Sequence, residues 1–390
     1  MKDVVIVSGV RTPIGVMGGS LISFRQRDLA AFVIKEAVSR AQVDPGAVDE
    51  VFFGCCNNFA EDVNVARVGA LEAGLPVTVP GVTMNRVCPS AMEAVASAAR
   101  KIMCDEADIC IAGGVETMSN APYYAKTARW GSKLRNQELT DSLWEGLYAG
   151  GPEIMGITAE NIVEKYGITR EEQDEVALRS HNNVERATAE GRFKDEIIPV
   201  TIRKRKKEVI FDKDEHFRPG MTMEQLAALP PTFKEGGTVT AGNASGINDG
   251  AAAIVMMSLD KAKELGIEPM ARYICNGVAG VEPSLMGIGP VPATKIALKR
   301  AKMTLSDIDL IEANEAFAAQ YIACERDLKL NREITNVNGS GIGLGHPVGC
   351  TGVRMVVTLL YEMIKRDVNV GLATLCGGGG VGMATIYERI

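Results

Sequence analysis

The chain is poor in histidine and tryptophan, and it has no paired cysteines of the kind that bind metals. Of its 390 residues, three are histidine, two are tryptophan and nine are cysteine, with no C-x-x-C spacing. We therefore expect no metal site, and reduced thiols in a reducing compartment. His181 and His216 stand in charged, polar sequence and are predicted to lie on the solvated surface, which leaves His346 as the remaining imidazole.

The sequence also lacks an excess of positive charge. A net charge of -7 and a pI of about 5.3 exclude a nucleic-acid surface as the main function, because phosphate binding requires a basic face. The run RKRKK at residues 203–207 is a local exception. It is predicted to be a solvated strand edge or hairpin, and the alternative is a positive patch near an anionic ligand tail.

Long apolar runs are missing from the start of the chain. Residues 1–10 contain one short apolar run, which passes directly into Arg11-Thr12-Pro13. This pattern predicts a buried strand rather than a signal peptide or a membrane span, and it leads us to expect a cytoplasmic protein. With 46% hydrophobic residues, a chain of this length is expected to bury a large core in two or three domains.

An internal repeat, offset by about 260 residues, organises the chain. Residues 48–54 (VDEVFFG) resemble 308–314 (IDLIEAN), and residues 109–114 (ICIAGG) resemble 372–378 (LATLCGG). These segments are predicted to be buried strands that run into turns, and each half carries a helix rich in small residues between them. The predicted helices span residues 29–41, 90–103, 294–301 and 350–365. The repeat therefore predicts two copies of one α/β unit.

The alternation of strands and helices predicts an α/β class, with one parallel or mixed sheet in each half. Residues 118–246 break this pattern, because they are rich in charge, glycine and proline. We expect this segment to be an insertion from the first half that lies over a ligand. Within it, residues 158–161 are predicted to open a helix, and Thr169 and Glu172 to form a capping box for the next helix.

Three short segments carry candidate chemistry: Cys88 in TMNRVCPS, His346 in GLGHPVG and Cys376 in LCGGGG. Two thiols and an imidazole are the groups needed to pass an acyl group through a thioester and to move a proton beside it. Because Pro89 suits a first helical turn, Cys88 is predicted to be an N-cap residue with a lowered thiol pKa. The alternatives are a core cysteine, a structural histidine and a structural glycine turn.

These segments, with residues 7–13 (VSGVRTP), 113–119 (GGVETMS), 242–246 (GNASG) and 314–317 (NEAF), resemble those of the thiolases. Thiolases are acyl-CoA C-acyltransferases, and the resemblance runs nearly end to end. It implies the thiolase fold, with two repeated α/β halves packed as a layered αβαβα core and an inserted loop domain. The expected boundaries are residues 1–117 with 247–268 for the N-terminal half, 118–246 for the loop domain and 269–390 for the C-terminal half.

The resemblance also implies roles for the candidate residues. Cys88 carries the acyl group, His346 deprotonates its thiol, and Cys376 takes a proton from the acetyl methyl carbon. His346 and a water positioned by Asn314 hold the thioester oxygen. The backbone N–H groups of Cys88 and Gly378 form a second oxyanion hole.

Coenzyme A thioesters are the substrates that the resemblance implies, with no permanently bound cofactor. The residues expected to line the pantetheine channel are Ser245, Ala241, Met155 and Phe317. Arg218 is expected to meet the nucleotide phosphate, although it also fits a plain surface charge, and Phe317 also fits a core position. Residues 126–143, which include Trp130, fall where the family places its tetramer loop, so we expect a homotetramer, with a dimer as the alternative.

Two positions depart from the family pattern. Ala91 replaces the glycine of the C-x-S-G motif, and Ile154 replaces a histidine that short-chain biosynthetic members carry before Met-Gly. The acyl-chain length therefore stays open, with short-chain substrates favoured.

The expected function is a ping-pong reaction of fatty acid metabolism. The enzyme would condense acetyl-CoA with an acyl-CoA, or cleave a 3-ketoacyl-CoA with CoA. The alternatives are a β-ketoacyl synthase, which needs a second histidine where Asn314 stands, and a non-catalytic thiolase-fold scaffold.

Overall fold

The computed structural model describes residues 2–131, 133–134, 136–204 and 207–390. The strands are β1 (Val4–Arg11), β2 (Gly15–Val16), β3 (Glu50–Gly54), β4 (Gly81–Met84), β5 (Ile109–Thr117), β6 (Tyr123–Tyr124), β7 (Thr140–Asp141), β8 (Val200–Lys204), β9 (Lys207–Phe211), β10 (Asn248–Ser258), β11 (Ala271–Gly280), β12 (Leu310–Ala313), β13 (Val370–Gly377) and β14 (Val381–Glu388).

The helices are α1 (Gln26–Ala41), α2 (Val65–Glu72), α3 (Ser90–Met103), α4 (Ser142–Gly146), α5 (Met155–Tyr166), α6 (Arg170–Ala189), α7 (Met223–Ala227), α8 (Leu259–Leu265), α9 (Pro290–Ala301), α10 (Ala318–Leu328), α11 (Gly341–Leu344) and α12 (Thr351–Arg366). Short 3-10 helices span Pro45–Ala47, Ala60–Asp62, Met118–Asn120, Ala128–Trp130, Pro283–Ile288 and Leu305–Asp307. No helix within the described ranges is both long and apolar enough to cross a membrane.

The main sheet repeats one pairing pattern in its two halves. Its order is β12-β13-β14-β11-β1-β10-β5-β3-β4, with β2 beside β10. In the first half, β3 runs parallel to β4 and β5, and β10 is antiparallel to β5 and β1. In the second half, β12 runs parallel to β13, and β14 is antiparallel to β13 and β11. This shared order confirms the two α/β copies predicted from the internal repeat.

The prediction of a separate sheet in each half was wrong. β1 and β11 pair antiparallel over three residues, from Val4 to Ile6, and so join the halves into one ten-stranded sheet. Beyond this junction, β1 pairs with β10 and β11 with β14, each within its own half.

Helices α3 and α12 form the central layer between the two halves. The central core combines residues of both helices with residues of β1, β5 and β10 from one half and of β13 and β14 from the other. Gly352 lets the helices approach closely, because a Cβ there would lie 2.4 Å from the backbone nitrogen of Met92. Helices α1 and α2 cover the outer face of the first half, and α9 and α10 that of the second. The result is the expected αβαβα layering.

The segment between β5 and β10 contains two short hairpins, β6–β7 and β8–β9, and the helices α4 to α7. The predicted capping box is present, since Thr169 and Glu172 exchange hydrogen bonds at the start of α6. α5 begins at Met155, earlier than predicted. The basic run lies on the β8–β9 hairpin, where Arg203 and Lys207 are exposed; its residues 205 and 206 lie outside the described residues.

A buried ion network attaches this segment to the end of β1. The Arg11 guanidinium donates to Glu196 (2.6 Å) and to both carboxylate oxygens of Asp214 (2.7 and 2.9 Å). All three side chains are buried. Buried charges persist only when they are paired and hydrogen-bonded, so this contact fixes the segment against the sheet.

Candidate active site

Cys88 lies in the tight turn that joins β4 to α3. The N-cap of α3 is Pro89, so Cys88 precedes the N-cap and does not occupy it as predicted. The difference arises because the carbonyl of Val87 already accepts hydrogen bonds from the backbone N–H (2.9 Å) and the hydroxyl (2.5 Å) of Ser90, which closes the turn before the helix begins.

Val87 adopts a left-handed backbone conformation, with φ of 54°. This region is costly for a β-branched residue and persists only where surrounding contacts impose it. Here the Val87 N–H donates to Asn85 Oδ1 (2.9 Å), and the Cys56 thiol donates to the Val87 carbonyl (2.9 Å). The strained turn presents Cys88 at the head of α3.

Two backbone N–H groups, those of Gly378 and of Cys88 itself, lie near the Cys88 sulfur. They favour the thiolate, but burial disfavours it more strongly, and the charge of Glu116 adds to this effect. The net result raises the pKa of Cys88 to about 11, so the predicted lowering of this pKa was wrong. Cys88 is a neutral thiol at neutral pH, and a base has to remove its proton before attack on a carbonyl.

Cys376 and Gly378 lie at the turn between β13 and β14. Cys376 is fully buried, and its pKa is raised well above that of an ordinary thiol, first by burial and then by the nearby Cys88. A Cβ at position 378 would lie 2.4 Å from the Ala149 Cβ, so glycine is required for the chain to reach the Cys88 sulfur. The fold thus brings together both predicted thiols and the predicted N–H donor.

His346 is buried and held in one tautomer. The Thr351 hydroxyl donates its proton to the Pro347 carbonyl (2.9 Å), so it accepts from His346 Nδ1, which lies 2.7 Å away. Nε2 is therefore unprotonated and 3.5 Å from Asn314 Nδ2. Burial, with a smaller effect of the Arg354 cation, lowers the pKa of His346 to about 3. The imidazole is neutral and presents Nε2 as a proton acceptor.

Asn314 follows β12 and is buried beside His346. Its backbone N–H donates to the Thr374 carbonyl (3.0 Å), which fixes the main chain. Its side-chain Oδ1 is buried without a hydrogen-bond partner in the described part of the chain. A buried, unsatisfied amide oxygen is costly, so this atom is suited to hold a water or a substrate group.

The Cys88 turn and the His346 loop meet over β5. A Cβ at Gly114 would lie 2.4 Å from the Gly349 oxygen and 2.6 Å from the Ala91 Cβ. The start of α3, next to the Cys88 turn, and the residues that follow His346 therefore pack against the same residue of β5, although they are distant in sequence.

Glu116 is a buried residue of the site to which the sequence reasoning gave no role. Its carboxylate accepts from the backbone N–H groups of Cys56 (2.9 Å), Asn57 (3.1 Å) and Gly349 (2.9 Å). It thereby ties the Cys88 side of the site to the His346 side, while burial raises its pKa. The signal that could have revealed it is an acidic residue within a strand that is mostly apolar and rich in glycine.

The expected pantetheine residues divide into a buried group and an exposed group. Phe317 and Met155 belong to an apolar cluster that includes Cys376. Ser245 adjoins this cluster, because its N–H donates to the Ala316 carbonyl (2.9 Å). Ala241 and Arg218 are exposed. Among other members of this apolar cluster is Met286, which the sequence did not single out.

The prediction that His181 and His216 lie on the solvated surface was wrong. His181 is buried and accepts from the Arg218 N–H (3.2 Å), and His216 is partly buried against Gly246. Burial lowers the pKa of each to about 4. Asp214 and Glu215, the charged neighbours of His216, instead bind Arg11 and the backbone N–H groups of Val16 and Ser20, and local composition does not reveal that.

Known proteins resemble this chain along its whole length. Residues 4–260 match the thiolase N-terminal domain and residues 267–389 the thiolase C-terminal domain. The chain is 50% identical over 397 residues to an acetyl-CoA acetyltransferase of Syntrophomonas wolfei and 48% identical over 392 residues to the beta-ketothiolase BktB of Cupriavidus necator, with 100% of each chain covered. The crystal structure of a Bacillus anthracis acetyl-CoA acetyltransferase gives a TM-score of 0.99 at 51% identity, covering 100% of this chain and 99% of the other.

The fold and these matches define an enzyme that transfers acyl groups. The chain belongs to the thiolase family. Members of this family act on coenzyme A thioesters and hold no permanent cofactor. The resemblance drawn from the sequence motifs is therefore confirmed, as is the fold that it implied.

Proposed function

We propose that this thiolase works by a ping-pong mechanism through an acyl group on Cys88. The observation that carries the proposal is the contact between the Cys88 turn and the end of β13: a Cβ at Gly377 would lie 2.7 Å from Pro89 Cδ, and a Cβ at Gly378 would lie 3.4 Å from Val87 Cγ1. Backbone N–H groups beside the sulfur are placed to stabilise the oxygen of a thioester formed there.

In the first half-reaction, the Cys88 sulfur attacks the carbonyl carbon of an acyl-CoA. Because the thiol and the imidazole are both neutral, His346 Nε2 takes the thiol proton as the S–C bond forms. The CoA sulfur leaves and takes a proton from Cys376. The products are acyl-Cys88, free CoA, a Cys376 thiolate and a His346 imidazolium. Asn314 lies beside Nε2 to help hold the thioester oxygen.

In the second half-reaction, the Cys376 thiolate removes a proton from the methyl carbon of acetyl-CoA. A buried thiolate with a raised pKa is a strong base, as the weakly acidic α-hydrogen of a thioester requires. The resulting carbanion attacks the acyl carbonyl on Cys88, and the C–S bond breaks. The Cys88 sulfur recovers its proton from His346, and the same steps in reverse give thiolytic cleavage of a 3-ketoacyl-CoA.

Coenzyme A is proposed to enter along the loop domain, residues 118–246. The two halves beside it are proposed to be residues 1–117 with 247–268, and residues 269–390. The apolar cluster of Met155 and Phe317 next to Cys376, with Ser245 adjoining it, supports a pantetheine channel. Ala241 is proposed as a further channel residue. Arg218 is exposed and is proposed to meet the nucleotide phosphate.

Short-chain acyl-CoA substrates are proposed, on the model of relatives named as acetyl-CoA acetyltransferases. Ala91 and Ile154 bear on this choice, and both side chains are buried. A panel of 3-ketoacyl-CoA thioesters of increasing chain length, assayed for CoA-dependent cleavage, decides the question. Highest kcat/KM on acetoacetyl-CoA supports the short-chain assignment, and higher values on longer chains contradict it.

A homotetramer in the cytoplasm, acting in fatty acid metabolism, completes the proposal, with a dimer as the fallback. Exposed apolar side chains in residues 126–143, among them Trp130 and Leu139, support a subunit contact in this segment, since such patches mark interaction sites. Two of its residues, 132 and 135, lie outside the described residues.

Covalent labelling tests the proposed nucleophile. Acetyl-CoA should add one acetyl group to Cys88, identified by peptide mass spectrometry, and Cys88→Ala should abolish this label. Cys56→Ser is the matched control, because Cys56 lies next to the same turn and serine keeps its hydrogen bond to Val87. Loss of the label in Cys56→Ser, or labelling elsewhere in Cys88→Ala, would refute the assignment.

A further inference from the structure

Asn248, the first residue of β10, connects three separate parts of the chain. Its Oδ1 accepts from the His346 N–H at 2.9 Å. Its Nδ2 donates to the Gly15 carbonyl at 3.0 Å and lies 3.2 Å from His216 Nδ1. The side chain is fully buried. Both N–H donors and one lone pair of the oxygen have partners, so its orientation is fixed.

His216 completes a second contact with the same loop. Because its Nδ1 accepts from Asn248, the other ring nitrogen carries the proton, and the ring lies beside the backbone of Ile342 in α11. The ring packs against Gly246, where a Cβ would come within 2.1 Å of Cε1. His216 therefore supports Asn248 beside the α11 end of the loop, and Asn248 holds the His346 end.

The loop between these contacts has little stiffness of its own. Gly343 and Gly345 flank Leu344, and Gly345 has φ of 99°, a conformation that only glycine adopts readily. Backbone hydrogen bonds, rather than local sterics, must therefore set the direction in which the His346 ring points.

We propose that His216 and Asn248 are positioning residues that aim His346 Nε2 at the Cys88 turn. They act through the backbone of the loop that carries His346, and they place the inserted segment in contact with that loop. The inference rests on the proposed acylation of Cys88, in which His346 takes the thiol proton. Small misplacements of a catalytic group reduce rate steeply, so a defect in these contacts should appear in the chemical step.

His181 supplies a matched control. It is also a buried, neutral histidine of the inserted segment, and its pKa is also lowered to about 4. Its Nδ1, however, accepts from the Arg218 N–H, at 3.2 Å. A general packing role would affect His181 and His216 alike, whereas a positioning role separates them.

The test measures the single-turnover rate of Cys88 acylation by acetyl-CoA, by rapid quench and intact-protein mass spectrometry. Asn248→Ala and His216→Phe should slow acylation at saturating acetyl-CoA by about 10- to 100-fold, with half-saturation nearly unchanged. His181→Phe should keep the saturating rate within about threefold. Asn248→Asp keeps the Oδ1 acceptor for the His346 N–H, so it should acylate faster than Asn248→Ala.

The outcomes separate the inference from the proposed function. If the wild type acquires no acetyl group on Cys88, the proposed function fails. If the wild type is acylated but Asn248→Ala and His216→Phe match its rate, or if all three sites give equal losses, the inference is overturned. If the larger changes unfold the protein, Asn248→Ser decides, because serine removes both the Oδ1 acceptor and the Nδ2 donors: a slower rate at unchanged half-saturation supports the inference, and a wild-type rate removes it.

Discussion

Gly54 and Asn314 occupy equivalent positions in the two halves, at the ends of the counterpart strands β3 and β12. Their uses differ. A Cβ at Gly54 would lie 2.2 Å from the Ala91 nitrogen, so this position serves the packing of α3 against the sheet. Asn314 places a carboxamide beside His346. One scaffold position thus serves close packing in the first half and candidate chemistry in the second.

The two halves also contribute different groups to the rest of the site. The first half contributes the Cys88 turn and the bracing carboxylate of Glu116, while His346, Cys376 and Gly378 come from the second half. A short, strained turn suits a nucleophile that must be exposed at one point. The imidazole instead requires a longer loop, because several hydrogen bonds must fix its tautomer and direction.

The largest effect is expected from Cys376→Ser, which tests the second-half thiol. Loss of the thiolate base should lower the rate of condensation about 10³-fold, while acylation of Cys88 stays measurable, because the two half-reactions use different bases. Cys324→Ser is the control, since Cys324 is also buried but donates to the Gly287 carbonyl (3.3 Å). Assays of each half-reaction separate the steps, and an unimpaired condensation rate would remove Cys376 from the mechanism.

Asn314→Ala tests the proposed catalytic role of the second-half residue that is equivalent to Gly54. We expect a loss of about 100-fold in kcat with little change in stability, because the Asn314 Oδ1 makes no hydrogen bond in the described part of the chain. Asn336→Ala should do the opposite, since Asn336 bonds both the N–H and the carbonyl of Ala313. Steady-state kinetics and urea unfolding compare the two, and a large stability loss in Asn314→Ala contradicts the assignment.

Gly54→Ala tests the packing of α3 against the sheet in the first half. The added methyl meets backbone rather than a flexible side chain, so it should lower the free energy of unfolding by about 2 kcal/mol. Gly46→Ala is the control, because its Cβ would approach only the Asp44 carboxylate, at 3.4 Å, and it should change stability by less than about 0.5 kcal/mol. Equal unfolding midpoints in the two variants would show that α3 has room to shift.

The last prediction concerns acid and the three histidines, all of which lie outside residues 1–117. Burial lowers the pKa of His181 to about 4 and that of His346 to about 3, below the value of about 6.5 for an unfolded chain. Between pH 6.5 and about 4, the unfolded chain binds protons that the folded protein excludes, so stability falls as pH falls. Each such histidine contributes up to about 1.4 kcal/mol per pH unit.

His181→Phe should remove one such contribution. Unfolding by urea at pH 7, 6 and 5 measures the slope of stability against pH, which should be shallower in the variant than in the wild type. Identical slopes would mean that His181 is not kept neutral by burial.

Much of the fold could be predicted from the sequence because its signals are local. The helix at residues 90–103 was predicted with the bounds that α3 has, and the capping box at Thr169 needs only four neighbouring residues. The repeat predicted equivalent strands, because the same apolar segments recur at one offset. Pairing between β1 and β11 was missed, since it depends on how the halves dock rather than on either strand alone.

The candidate site could be predicted in its residue types but not in its electrostatics. The motifs predicted Cys88, His346 and Cys376 as the reactive side chains. The motifs did not predict their protonation states, since the pKa of Cys88 was expected to be lowered and is raised. The helix position suggested stabilisation of the thiolate, and exclusion of water by distant residues outweighed it.

The sequence by itself determined the family, the two α/β copies and the candidate reactive side chains, because spacing and residue type are properties of short segments. Only the tertiary structure decided which groups are buried, which tautomer His346 holds and which carboxylate braces the site. Solvent exclusion and hydrogen-bond geometry arise when segments hundreds of residues apart come together, and no local pattern contains that information.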